Sequence, residues 1–164
     1  IEIRPRSGTY VTNPSIDEIA ELFDVRRVLE LYAAELAVQY IAESQLQRAR
    51  EIVRGLQKLV EVENWSHIYQ EHIELDHSLH RLIVESARNK QLKKLWEQVN
   101  THVQIARIRY RRTDTRLDLS MREHEEILTA LEERDAGALQ EALRQNIDRG
   151  KESLRQDWEL MEAV

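Results

Sequence analysis

Cysteine is absent from this chain of 164 residues, which excludes disulfide frames, thiol nucleophiles and zinc sites built on cysteine. Only four glycines and two prolines are present, too few for the many turns of an all-β sandwich or barrel. No apolar run reaches the roughly 18 residues of a membrane-spanning helix, and no signal-peptide pattern opens the chain. We therefore expect a cytoplasmic protein that does not contact a membrane.

The chain is rich in charged residues, and acidic residues outnumber basic ones. Charged residues make up 33% of the chain and hydrophobic residues 41%, with a net charge of −6. This composition is typical of a helical globular domain and excludes disordered and low-complexity classes. An acidic domain binds nucleic acid poorly on its own. Because the chain opens with Ile1 instead of methionine, we expect a further segment upstream.

Residues 1–14 differ from the rest, since strand-forming side chains flank a Ser7–Gly8 turn. They form either a flexible tail or the last hairpin of a preceding domain. From Ser15 onward helical spacing dominates, so we divide the chain into residues 1–14 and a helical domain over 15–164. Six helices with short connections predict an all-α antiparallel bundle.

Local signals place the ends and faces of these helices. Ser15 with Glu18, and Ser120 with Glu123, are capping boxes that predict helix starts; the polar stretch 111–118 predicts a loop. The apolar stripe expected on the first helix is Leu22, Val25, Leu29, Leu36 and Ile41. The fourth helix is expected to bury Leu92, Leu95, Trp96, Val99, Val103 and Ala106.

Among six histidines, one pair has the spacing of metal ligands. Asp76 and His80 are four residues apart, so both project from one face of a helix and could share an ion. A solvated or core pair gives the same pattern. Known enzyme motifs do not match. A di-iron bundle needs E-x-x-H on two helices, and Glu74–His77 is one match, but Met121 stands where a second motif ending at His124 needs glutamate. The zinc-protease motif H-E-x-x-H begins at His124 and fails at Leu128. The sequence gives catalysis no positive support.

An ordered set of segments resembles GntR-family transcriptional regulators with a FadR-type effector domain, known as FCD. The first segment resembles the end of the winged helix-turn-helix wing, and the others resemble successive parts of the effector domain. The segments are Ile3–Val11, Leu22–Glu30, Asp76–His80, Ala87–Leu92, and Glu123–Leu131 followed by Asp135.

The resemblance implies a bundle of six or seven helices that encloses a pocket and forms a homodimer, while an N-terminal winged helix binds operator DNA. Many members of the family hold a divalent metal, zinc or nickel, through one aspartate and three histidines. Asp76, His80 and His124 fall on three of those positions. The fourth position is Asn146 in this sequence.

An amide oxygen is a poorer zinc or nickel ligand than imidazole, so three hypotheses stay open. Asn146, or water in its place, completes the metal shell. Alternatively, the carboxylate of an effector completes it. In the third, no metal binds, and the same side chains hydrogen-bond the effector directly.

Two arginines are candidates for binding an effector. Arg26 matches the family's pocket arginine, whose guanidinium fork can hold a carboxylate; it could instead be a surface residue paired with Glu30. Arg107 is the second candidate. We therefore expect a non-enzymatic sensor domain of a regulator that binds a small organic acid and alters operator binding. The alternatives are a mononuclear metal-dependent hydrolase or lyase, and a purely structural dimerisation bundle.

Overall fold

A computed structural model describes residues 2–4, 8–10, 14–60, 65–110 and 117–163 of the chain. Over these residues it confirms the all-α bundle. The six helices are α1 (Ile16–Tyr40), α2 (Glu43–Val60), α3 (Trp65–Ser86), α4 (Lys90–Tyr110), α5 (Leu117–Glu133) and α6 (Ala136–Glu162). None of the described helices is both long and apolar enough to cross a membrane.

Two short strands precede the bundle. Strand β1 (Glu2–Arg4) pairs antiparallel with β2 (Gly8–Tyr10), with Ile3 opposite Thr9. Residues 5–7, where the predicted turn begins, lie outside the described part of the chain. The assignment of this hairpin to a DNA-binding wing stays a prediction.

Helix α1 is the central element, because it packs against α3, α4 and α6. It begins at the predicted capping box, in which the Ser15 side chain accepts from the Glu18 amide and Glu18 accepts from the Ser15 amide. Its last carbonyls are capped from the end of α5. There Arg134, at a positive φ of 56°, donates to the carbonyls of Val38 and Ile41 at 2.8 and 2.9 Å.

The apolar stripe predicted for α1 is wrong, because the buried face of the helix is rotated by part of a turn from it. Val25 is 47% exposed, and the leucines of the expected stripe are only partly buried. Small alanines let neighbouring helices approach the other face, where two charged side chains are buried because other helices supply their partners. The buried residues of α1 are Ile19, Phe23, Arg26, Glu30, Ala33, Ala34, Ala37 and Val38.

Two further local predictions need correction. Leu95 of α4 is 52% exposed, whereas Asn100 is buried, so the buried face of α4 carries a polar residue. The capping box at Ser120 is also wrong, because α5 already begins at Leu117. Ser120 lies inside the helix and is buried, with its hydroxyl oxygen 3.4 Å from His72 Nε2.

The apolar core is divided into three clusters. One joins the end of α1 with α2, α3, α5 and the start of α6. A second joins the start of α1 with the ends of α4 and α6, and a third surrounds Trp96. The buried polar side chains lie on the same helices as these clusters, and they form the candidate site.

Candidate functional site

Five helices contribute buried polar side chains to the interior of the bundle. Burying such groups is costly unless they are hydrogen-bonded or bind a ligand, so a polar cluster of this size indicates a site. Its members are Arg26 and Glu30 on α1, His72, Asp76 and His80 on α3, Asn100 on α4, Ser120 and His124 on α5, and Asn146 on α6.

The structure brings together the four side chains expected to bind a metal. Asp76 Oδ1 lies 3.0 Å from His124 Nε2 and 3.6 Å from His80 Nε2. Asn146 Oδ1 lies 3.1 Å from His80 Nε2. Ligand atoms of the aspartate and both histidines lie within 4.8 Å of one another. One carboxylate and two imidazoles form a donor set that suits zinc or nickel, so these residues fit a divalent ion.

Asn146 is held with its oxygen toward His80. Its Nδ2 donates to Glu123 Oε2 at 2.9 Å, so the carboxylate fixes which end of the amide is the donor. Arg149 Nε in turn donates to both Glu123 oxygens, at 2.7 and 2.8 Å. The amide oxygen is therefore presented as an acceptor at the position where the resemblance led us to expect a histidine.

Glu30 is a part of the site that the sequence reasoning missed. Its side chain is fully buried. Oε2 lies 2.5 Å from His80 Nδ1, while Oε1 accepts from Arg26 Nε at 2.6 Å and from Trp96 Nε1 at 2.7 Å. A carboxylate on the far nitrogen of a ligand histidine fixes the ring orientation and raises its basicity. Glu30 thus orients His80 Nε2 toward Asp76 and Asn146.

Charge keeps Glu30 ionised. Burial alone would raise the pKa of Glu30, but the charges of Arg26 and His80 and their hydrogen bonds outweigh it and lower the pKa to about 2. For His80, burial acts to lower the pKa, and the charge of Glu30 more than compensates, so the pKa is raised. Both ring nitrogens of His80 face acceptor oxygens, since Nδ1 lies 2.5 Å from Glu30 Oε2 and Nε2 lies 3.1 Å from Asn146 Oδ1.

The two predicted effector arginines both line the site. Arg107 NH1 pairs with Asp76 Oδ2. Burial raises the pKa of Asp76, but the charges of Arg107 and His80 outweigh it and hold that pKa well below its ordinary value. Arg26 is only 2% exposed, and its NH2 is buried without a hydrogen-bond partner. His124 Nδ1 is likewise buried and unpartnered.

A small cavity lies against this cluster. Its volume is about 20 Å³, which is space for about one water molecule. An organic acid is several times larger, so one could enter only if the lining side chains or helices move. The cavity lining is Phe23, Arg26, His72, Asp76, Arg107, Ser120, Asn146, Ile147, Arg149 and Gly150.

A larger concavity of about 510 Å³ lies between α3 and α4 and has Trp96 in its wall. Within it, His77 stacks on the Trp96 ring, with centroids 5.5 Å apart, and Asn100 Nδ2 lies 2.7 Å from His77 Nδ1. Its lining is mostly apolar and includes none of the four candidate metal ligands. The chemistry therefore centres on the smaller cavity.

Comparison with known proteins identifies relatives over most of the chain. The FCD domain family matches residues 21–149. The chain is 28% identical over 159 residues to the HTH-type transcriptional repressor RspR of Escherichia coli K12, a match that covers 95% of this chain and 67% of that protein. It is 26% identical over 133 residues to the HTH-type transcriptional regulator YdhC of Bacillus subtilis, covering 81% of this chain and 58% of that protein.

Solved structures share the fold. Escherichia coli McbR/YncC superposes with a TM-score of 0.81 at 18% identity, covering 94% of this chain and 76% of that chain. The metal-free FCD domain of TM0439 gives a TM-score of 0.70 at 17% identity, covering 89% of this chain and 97% of that chain.

Proposed function

Because this chain belongs to the FCD domain family of GntR-type transcriptional regulators, we propose that it senses a small organic acid and thereby alters operator binding. The operator would be bound by a winged helix that precedes this domain in the full-length regulator. The coverage of RspR supports this arrangement, since the match leaves about a third of that HTH-type protein outside it. Residues 1–14 would then be the end of the wing and the linker.

A divalent metal, zinc or nickel, would be held by Asp76, His80 and His124, with the Asn146 oxygen as a weak fourth ligand. The support is the convergence of their donor atoms in a buried place. When bound, the ion supplies a positive centre at which a carboxylate can coordinate. The chain's own residues orient the ligands, since Glu30 holds His80 and Glu123 holds Asn146.

Arg26 and Arg107 would bind the acid beside the metal. The observation that carries this proposal is the buried, unpartnered NH2 of Arg26 in the wall of the cavity that also contains Asp76 and Asn146. A charged donor without an acceptor is costly inside a protein. A carboxylate placed there would satisfy it through the guanidinium fork.

The signal would pass through helix positions. The cavity holds about one water, so an acid can bind only to a state in which α1, α3 and α6 lie further apart, and it shifts the population toward that state. Helices α1 and α4 also expose large apolar side chains, which we propose a second copy covers in a homodimer: Val25, Val28, Tyr32, Leu95, Ile105 and Ile108. Movement of α1 would then change the spacing of two DNA-binding domains.

Metal content and ligand-dependent stability test this function together. The purified chain, reloaded with zinc or nickel, is expected to hold close to one ion, and His124→Asn should reduce that content. The matched control is His102→Asn, because His102 is exposed on α4. A screen of small acids should raise the melting temperature of the loaded chain, since a ligand at 100 times its Kd adds about 2.7 kcal/mol to the stability. Ion content near zero after reloading would refute the metal site, and an unchanged melting temperature throughout the screen would refute acid sensing.

A further inference from the structure

Three arginines from three helices line the small cavity: Arg26 on α1, Arg107 on α4 and Arg149 on α6. Arg149 was not expected at the site, and its side chain is only 15% exposed. The same cavity wall carries Asp76 and Asn146. A single carboxylate at this site would need one or two guanidinium groups, so the third one indicates a ligand with a further anionic group.

The pairing of Arg149 leaves donors for another group. It contacts both oxygens of Glu123 through Nε, whereas a bidentate fork would use two different nitrogens. The terminal nitrogens of Arg149 can therefore donate elsewhere. Arg26 shows the same feature, since Nε donates to Glu30 while NH2 has no partner.

The charges around the cavity do not balance once a divalent metal binds. Arg26 pairs with Glu30, Arg107 with Asp76 and Arg149 with Glu123, so the three ion pairs sum to zero. A divalent ion on neutral histidines then leaves two positive charges in a largely buried place. A ligand with one negative charge compensates half of this excess, and a ligand with two compensates all of it. Uncompensated charge in a low-dielectric interior is strongly unfavourable.

We propose that the effector is a dianion with two separate negative centres, one held by Arg26 and the metal and the other by the terminal nitrogens of Arg149. This rests on the proposed function and narrows the effector to dicarboxylates or to acids that carry both a carboxylate and a phosphate group. Both classes share the chemistry that matters, namely two negative charges on oxygen acceptors. Arg149 is then a residue that determines specificity for the second group.

Matched pairs of acids test the charge requirement. Binding to the zinc-loaded chain is measured by calorimetry at fixed salt for succinate against butyrate and for glutarate against valerate, with inorganic phosphate as a third arm. We expect the dicarboxylate of at least one pair to bind about tenfold or more tightly than its partner, the size of one charged hydrogen bond. Inorganic phosphate carries its charges on a single group, so stronger binding of phosphate than of either dicarboxylate would contradict a ligand with two separate negative centres.

Variants test the role of Arg149. Arg149→Gln should lower dianion affinity more than monocarboxylate affinity, so that the preference for the dianion is lost, and Arg149→Lys should restore part of that preference. The control is Arg144→Gln, which removes an exposed arginine paired with Glu141 on the same helix. Thermal melts and zinc content of each variant confirm that it folds and loads.

The outcomes separate this inference from the proposed function. Equal affinity for both members of each pair would overturn the dianion while leaving an acid sensor in place. A preference retained in Arg149→Gln would overturn the assignment of Arg149. Failure of every acid to bind the loaded chain would overturn the proposed function, and this inference with it.

Discussion

The carboxylate of Glu30 should make a large, pH-dependent contribution to the stability of the metal-free chain. It is fully buried and accepts from Arg26 and Trp96 while facing His80. Its pKa is lowered from 4.5 to about 2. A difference of about 2.5 pH units corresponds to about 3 kcal/mol. This contribution is fully present above pH 4.5 and is lost as the pH falls toward 2.

The substitution Glu30→Gln measures the contribution of the Glu30 carboxylate to the free energy of unfolding. The amide keeps the shape but leaves Arg26 and His80 without a counter-charge, and breaking a buried pair from one side costs about 3–5 kcal/mol. Urea unfolding of the EDTA-treated chain at pH 7 should show this loss relative to the unmodified protein. At pH 3.5 the difference should be smaller by about 1 kcal/mol, because Glu30 of the unmodified chain has begun to lose its advantage by then.

The control is Glu141→Gln, whose carboxylate is 52% exposed and pairs with Arg144 on the surface. Such pairs contribute about 0–1 kcal/mol, so this variant should unfold almost as the unmodified chain does. A Glu30→Gln loss below 1 kcal/mol, or a loss of equal size at both pH values, would contradict the account of Glu30 as an ionised buried anchor.

Two further predictions concern the histidine and the amide that face each other. Because the pKa of His80 is raised, its interactions stabilise the metal-free chain fully below pH 6.5, and this stabilisation is lost as the pH rises through the folded pKa. Together with the contribution of Glu30, it places maximal stability at about pH 4.5–6.5. Urea midpoints that rise steadily from pH 6 to 9 would contradict this prediction. Asn146→His should tighten zinc binding about tenfold or more, because imidazole replaces an amide oxygen; chelator competition measures this, and an unchanged affinity would mean that position 146 does not face the ion.

Much of the fold could be predicted from the sequence, because local signals agree with it. Ser15 and Glu18 form the predicted capping box, and at the start of α4 the Asn89 side chain accepts from the Leu92 amide at 3.1 Å. The buried face of α1 could not be predicted from hydrophobicity alone. Its stripe contains Arg26 and Glu30, and an i, i+4 ion pair on a helix usually indicates solvent exposure.

The spacing of residues along α1 would have identified Glu30, the site residue that the sequence reasoning missed. Ile19, Phe23, Arg26, Glu30 and Ala33 follow one another at spacings of four, three, four and three, which is one face of a helix. Two charged residues inside an otherwise apolar face indicate a buried polar site. The partners of that site come from α3 and α4, which are distant in sequence, and this is why the pattern alone left a surface pair of Arg26 and Glu30 open.

Asn146 would change the ligand set of the proposed metal site while leaving the other ligands in place. In the metal-free chain, the 3.1 Å contact from His80 Nε2 to the amide oxygen is a hydrogen bond only when Nε2 carries the proton, and Glu30 lies at the other ring nitrogen. A metal at Nε2 must displace that proton, so ion and proton compete for one nitrogen. A histidine at position 146 would be a second group that can bind either a proton or the metal. The amide of Asn146 stays neutral, and because Glu123 holds its nitrogen, its oxygen would keep its place with or without a metal. In the proposed metal site, Asn146 would therefore be a weaker ligand than a histidine, while metal and proton would still compete for His80 Nε2.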